Sequence, residues 1–169
     1  MARCERDNVF RMYTIILALH SWVRWLALFA GIAATIAVAR DASSRAPAGS
    51  PATGPSDRFG VILTATLDVQ LLLGLLLYFV VSPNMAEIRA HFGEAMKDPV
   101  ARFWAVEHIT TMLGAVIAAH VGRILARKTA DANSRRMKLF ICYGIATLLM
   151  FIAVPWPGMG AGRPLFRGF

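Results

Sequence analysis

Hydrophobic positions fall into four long runs separated by three polar stretches, and they lack the one-sided periodicity of a soluble helix packed on a core. The first run extends from about 12 to 39 (MYTIILALHSWVRWLALFAGIAATIAVA), the second from 59 to 82, the third from 101 to 126 and the fourth from 137 to 154. Each reaches the roughly 17 or more helical residues that cross a hydrocarbon layer of about 30 Å. Pro155 ends the last run, because proline cannot continue the helical ladder. Backbone in lipid must be satisfied within a helix or a closed barrel, and no two-residue alternation supports a barrel. The pattern therefore predicts an all-α integral membrane protein, an up-down four-helix bundle.

The intervening stretches fit that layout. RDASSRAPAGSPATGPSDR, residues 40 to 58, has the Pro, Gly, Ser and Ala content of a solvated connector. SPNMAEIRAHFGEAMKDPV, residues 82 to 100, predicts a short surface helix before Pro99, and RKTADANSRRMK, residues 127 to 138, predicts a tight polar turn. Residues 1–11 read as an N-terminal extension with no membrane role, with Met12 an alternative start, and residues 158–169 read as a C-terminal tail. The transmembrane domain spans 12–157. MARCERDNVFR mixes acids and bases, and the apolar run after it is longer than a signal peptide's.

Composition excludes most other classes. With 57% hydrophobic residues and a mean hydropathy of +0.54, the 169-residue chain is far from a soluble domain. The net charge of +8 lies between the apolar runs. Arg123, Arg127, Lys128, Arg135, Arg136 and Lys138 crowd one short loop, so the positive-inside rule places the 40–58 and 127–138 loops in the cytoplasm. Both termini are then periplasmic in a bacterial inner membrane. Such asymmetry points to membrane lipid, anionic lipid included, and no basic segment is interleaved with aromatics as nucleic-acid binding would require. Cys4 and Cys142 lie at opposite ends of the bundle and do not pair, and no CxxC or CxxCH is present.

Ionisable residues inside the apolar runs carry the chemical signal, since each costs a few kcal/mol or more in lipid. At about 1.5 Å of rise per residue, His20 lies roughly 12 Å in from Met12, and His108 roughly 10 Å in from Ala101. The two are level on helices that run the same way and face each other across a square bundle. This predicts a b-type haem with His20 and His108 as iron ligands, two imidazoles that leave no open coordination position. Met150, roughly 8 Å deep on the fourth run, is an alternative ligand, and Met112 lies one turn from His108, where it packs on a macrocycle. His120 reads as a satisfied interfacial residue and His91 as a solvated one.

A deeper layer holds Arg24, Asp68 and Gln70. An ion pair between Arg24 and Asp68 is expected, because an isolated arginine there is expensive. Glu107 is expected to reach Arg24 or to hold the ring N–H of His20. Glycines 31, 60, 74, 114, 122 and 144 permit close helix approach. Tyr13, Tyr78, Phe79, Phe103, Trp104 and Trp156 predict an aromatic belt. Nothing suggests a hydrolytic triad or a phosphate loop.

LHSWVRW (19–25), DVQLLLGLLLYFVVSP (68–83), RFWAVEHITTML (102–113), GR (122–123) and PWPGMGAGRPLF (155–166) together resemble the small bacterial four-helix membrane proteins usually labelled cytochrome B. The likeness covers nearly all the chain from Met12 onward. It implies a b-type haem, with His20 and His108 as ligands and Arg24 and Glu107 as polar companions. The long Pro- and Ala-rich linker departs from the compact pattern. The expected function is electron transfer within a respiratory or photosynthetic complex, between quinol and a periplasmic carrier, alongside other membrane subunits. The alternative is a haem-free accessory or assembly subunit, whose polar layer is structural or contacts a quinone or pigment held by a partner. A third reading, a proton-conducting carrier, needs a continuous polar path; the apolar run Leu26–Val38 argues against one along the first helix, while Thr64 and Thr66 leave room for one along the second.

Overall fold

The computed structural model describes residues 2–40 and 54–166, with side chains from residue 8 onward in the first helix. Four stretches are long and apolar enough to cross a membrane: Asn8–Arg40, Pro55–Val81, Pro99–Arg127 and Ala132–Ala153. The chain is a multi-pass helical membrane protein. Its helices are α1 (Ala2–Arg40), α2 (Pro55–Leu76), α3 (Pro83–Ala90), α4 (Phe92–Ala95), α5 (Pro99–Arg102), α6 (His108–Arg127) and α7 (Ala132–Ala153). Two wide π-helical turns, Leu77–Val81 after α2 and Phe103–Glu107 before α6, complete the second and third spans.

Local chemistry accounts for the helix starts. Pro83 follows Ser82, whose hydroxyl accepts from Met85 N–H, and Pro99 follows Asp98, whose carboxylate accepts from Ala101 N–H at 2.7 Å. Pro55 occupies the first turn of α2, where its missing N–H costs nothing. Asp131 caps α7 by accepting from Ser134 N–H at 2.7 Å. That hydrogen bond holds the Asp131 carboxyl below the usual carboxylate range. A depressed folded pKa means that the cap's stabilisation is present above the unfolded pKa and is lost as pH falls through the folded one. Asp131→Ala is therefore expected to lower the midpoint of thermal unfolding in detergent at neutral pH. The gap from the parent protein should close on acidification.

α1 packs against α2 and α7, and α6 packs against α7 and α2, so α1 and α6 face each other across the diagonal of a four-helix bundle. The core between them is built largely from small side chains: Ala27, Ala30 and Ala34 of α1, Ala115 and Ala119 of α6, and Ala146 of α7 are all buried. Leu63, Leu67 and Tyr143 fill the remaining space. Lipid is as apolar as leucine, so close packing rather than the hydrophobic effect holds such helices together. Large apolar side chains such as Phe29, Leu72, Ile117 and Leu148 accordingly face outward.

Several expectations need correction. Residues 2–11 are helical, since α1 runs without a break from Ala2 to Arg40. The polar turn before the fourth span is shorter than 127–138, since Asp131 starts α7 at Ala132 and puts Arg135, Arg136 and Lys138 in its first turns. The short helix expected before Pro99 is present as α3, and a further turn, α4, follows it. The C-terminal segment is not a free tail: after Ala153 it folds back on α1, where Leu165 O accepts from Arg24 at 2.7 Å and from the Trp25 indole at 3.1 Å. Phe166 stacks on Trp25 with ring centroids 5.6 Å apart. These two donors satisfy irregular backbone that would be costly in lipid. Cys4 and residues 41–53 lie outside the described residues.

Candidate functional site

One helical face each from α1, α2 and the third span encloses a cavity. α1 contributes Leu17, His20, Ser21 and Arg24, and α2 contributes Gln70, Leu71 and Gly74 with Tyr78 beyond it. The third span contributes Trp104, His108 and Met112, and Arg163 and Pro164 of the C-terminal segment cover one side. The three- and four-residue spacings are those of a single helix face. The cavity holds about 150 Å³ of free space, is partly open, and is lined mainly by apolar surface.

His20 and His108 meet across the diagonal of the bundle, with ring centroids 6.4 Å apart and planes at 64°. Each ring is held by one nitrogen. His108 Nδ1 lies 2.9 Å from Ala153 O, where a carbonyl can only accept, so Nδ1 carries the proton and Nε2 keeps its lone pair. Ala153 is the last residue of α7, and its carbonyl is one of those a helix end leaves without an intrahelical donor. On the other side, the buried Gln70 amide donates to His20 O at 3.0 Å and to His20 Nε2 at 3.2 Å. His20 Nδ1, Gln70 Oε1 and Trp104 Nε1 are buried without a hydrogen-bond partner among the described residues. Gly74 makes room for the His20 ring, since a Cβ there would stand 3.3 Å from His20 Cε1.

The two π-helical turns stand at this same cavity. A wide turn breaks the regular ladder and frees carbonyls, a feature frequent at functional sites. The freed groups are taken up locally: Tyr78 OH donates to Ala105 O at 2.9 Å, joining the two turns, and Arg89 donates to Tyr78 O and Phe79 O. Tyr78 and Trp104, both on these turns, line the cavity.

The polar layer differs from expectation. Arg24 does not pair with Asp68; it donates to Leu165 O and to Ser21 Oγ at 3.3 Å, and Asp68 accepts from His120 Nε2 at 2.8 Å instead. Helical geometry is the reason. Asp68 precedes Gln70 by two residues, about 200° around α2, so when Gln70 faces His20 on α1, Asp68 faces α6. Glu107 reaches neither Arg24 nor His20: it is exposed, turned about 100° from His108, and accepts from Arg102 Nε at 2.8 Å. Met150 is buried in the core, where a Cβ on Gly31 would lie 2.7 Å from its Cε, and it does not line the cavity. His91 is exposed beside Glu87.

Gln70 was assigned from the sequence to the Asp68 layer, and its role as the partner of His20 was missed. The signal for it was the four-residue series Gln70, Gly74, Tyr78. The sequence assigns Trp104 and Tyr78 only to the aromatic belt, and gives Arg163 no role at the cavity. Among the described residues no group of three or more His, Cys, Asp or Glu side chains converges. A bare metal ion therefore lacks a ligand set there, whereas an iron held in a macrocycle needs only axial donors. Comparison of the chain with protein-family models, with curated proteins and with solved structures finds no match.

Proposed function

We propose that this protein is a membrane b-type cytochrome-like electron carrier, with one haem b held between α1 and α6 by His20 and His108. The observation that carries this reading is the 6.4 Å separation of the two ring centroids. With metal–imidazole bonds of about 2 Å, two axial imidazoles on one iron place their centroids about 6 Å apart. The donor chemistry also fits. His108 has its Nδ1–H spent on Ala153 O, the arrangement that orients a ligating histidine and fixes its tautomer. His20 would hold the iron through Nε2, whose lone pair the Gln70 amide caps in this structure. Free space is the tighter condition: the cavity of about 150 Å³ is smaller than the roughly 300–1,000 Å³ of ligand pockets, so a haem would need flexible lining residues such as Met85 and Met112 to give way.

When bound, the haem supplies one-electron chemistry between ferric and ferrous iron. The chain's residues hold and insulate it. Leu17, Leu71 and Ile109 keep water from the centre, and two imidazoles leave no position for oxygen. Electron exchange with quinol or a periplasmic carrier, inside a respiratory or photosynthetic assembly of a bacterial inner membrane, is the setting we propose. The cations crowded around the α6–α7 turn support placing that turn in the cytoplasm and the termini outside.

One observation favours a second reading. The Gln70–His20 and His108–Ala153 bonds already tie the four long helices in two pairs, α1 with α2 and α6 with α7, without any cofactor, as a haem-free accessory or assembly subunit would require. Absorbance of the protein purified in mild detergent, after expression with ample haem, separates the two. A reduced-minus-oxidised spectrum with a sharp low-spin α-band, and about one haem b per chain by pyridine haemochrome, is expected. A colourless, folded protein would overturn the haem reading and favour the accessory one.

A further inference from the structure

We infer that the outer face formed by α2 and α6 docks a second copy of this chain, through Asp68 and His120. The inference stands apart from the reading of the cavity, which neither residue lines. Asp68 is the middle residue of the second span, Pro55–Val81, and its only charged residue beyond Arg58. His120 lies roughly 10 Å in from Arg127, the end of the third span. His120 Nε2 donates to Asp68 Oδ1 at 2.8 Å and so joins α6 to α2, yet the two side chains are 43% and 54% exposed on the outside of the bundle. Ionisable groups within a span face the protein interior or a water-filled cavity, because lipid solvates neither an acid nor a base. A face that turns both outward is one that protein covers.

The chemistry of the face selects the partner. Asp68 Oδ2 and His120 Nδ1 have no hydrogen-bond partner among the described residues, so one acceptor and one ring nitrogen remain unused. An imidazolium carries an N–H on each nitrogen, and His120 can therefore donate to a second carboxylate while holding the first. A patch that bears an acid and a base side by side is self-complementary: a two-fold axis along the membrane normal brings Asp68 of each copy to His120 of the other. A different subunit would need a matching pair of its own. The surroundings fit close approach. Val61, Ala65 and Leu72 share the Asp68 stripe of α2, and Leu113, Ile117 and Ile124 share the His120 stripe of α6, at the same four-, three- and four-residue steps. All six are exposed, and they leave an apolar rim around the two polar groups.

The experiment reconstitutes two epitope-tagged forms of the full-length protein together in liposomes, with Cys4 and Cys142 replaced by serine, and reads disulfide-linked pairs after mild oxidation. With Leu72→Cys in one form and Ile117→Cys in the other, linked pairs are expected well above the yield of a control with Leu148→Cys in both, on the outward face of α7. Asp68→Leu in both forms, or His120→Leu in both, should cut the yield about tenfold, the size of two interhelical hydrogen bonds in lipid. One form with Asp68→Leu and the other with His120→Leu should recover much of it, because one Asp68–His120 contact between copies is restored. A role within one bundle alone predicts no such recovery. A Leu72–Ile117 yield no higher than the Leu148 control would overturn the inference, and that comparison leaves Asp68 and His120 unaltered, so a variant that fails to fold does not blur it. Parent-level yield in the leucine variants, or no recovery in a mixture of folded variants, would likewise overturn it and leave the pair as a brace between α2 and α6, covered by lipid or by a different subunit.

Discussion

Replacing His108 with alanine is expected to remove the low-spin haem spectrum entirely, and replacing His20 is expected to do the same. On the proposed reading each ring would supply one donor to the iron, and the other candidate ligands considered from the sequence point elsewhere. Met150 is packed in the core against Gly31, Glu107 is turned to Arg102, and His120 is engaged with Asp68. Loss of an outer partner of a metal ligand already costs 10- to 100-fold in affinity, so loss of the ligand itself should exceed about 100-fold. The readouts are haem stoichiometry and the α-band of each purified variant. The apoproteins should stay folded, since the main packing partners of α1 are α2 and α7 and those of α6 are α7 and α2. Retention of a normal low-spin spectrum in both single variants would refute the ligand assignment.

The largest expected loss of stability comes from Gly122→Val. At this position α6 and α7 are so close that an added Cβ would stand 2.5 Å from Cys142 Cβ and 3.9 Å from Cys142 Cα. Carbon atoms pack best at about 3.5–4.0 Å, and Cys142 Cβ is fixed to a helix backbone that cannot give locally. The two helices must part, and overpacking of this kind costs about 3 kcal/mol or more. For a chain of this size that corresponds to a fall of roughly 6–12 °C in the unfolding midpoint. Gly144→Ala on α7 is the matched control, because nothing lies within 4 Å of its added Cβ. Alanine there gains up to about 1 kcal/mol in helix propensity, so the midpoint should hold or rise slightly. Equal losses in both variants would show that the α6–α7 contact is not the one described.

What could be read from residues alone follows from two one-dimensional quantities. Hydropathy along the chain predicted four membrane helices and a bundle, and Pro155 predicted the end of the last helix within two residues of Ala153. Helical rise predicted depth, and with it the common level of His20 and His108, whose rings do meet in the structure. Both quantities depend only on position along a helix axis, which sequence spacing determines directly.

Rotation about that axis was a different matter. Depth alone put Arg24, Asp68 and Gln70 in one layer and suggested the wrong pair. The tertiary structure decided that Gln70 turns to His20 and Asp68 to His120, because helix rotation is set by packing of small residues such as Ala27, Ala34 and Ala119 against neighbouring helices. The return of residues 155–166 onto α1 was equally invisible. It depends on Leu165 O meeting Arg24 and Trp25 across a separation of 140 residues, and no local pattern encodes such a meeting. The sequence by itself thus determined the class, the presence of four spans and the level of the imidazoles. Only the tertiary structure decided which side chains share that level face to face, because a one-residue step moves a group 1.5 Å in depth but about 100° in direction.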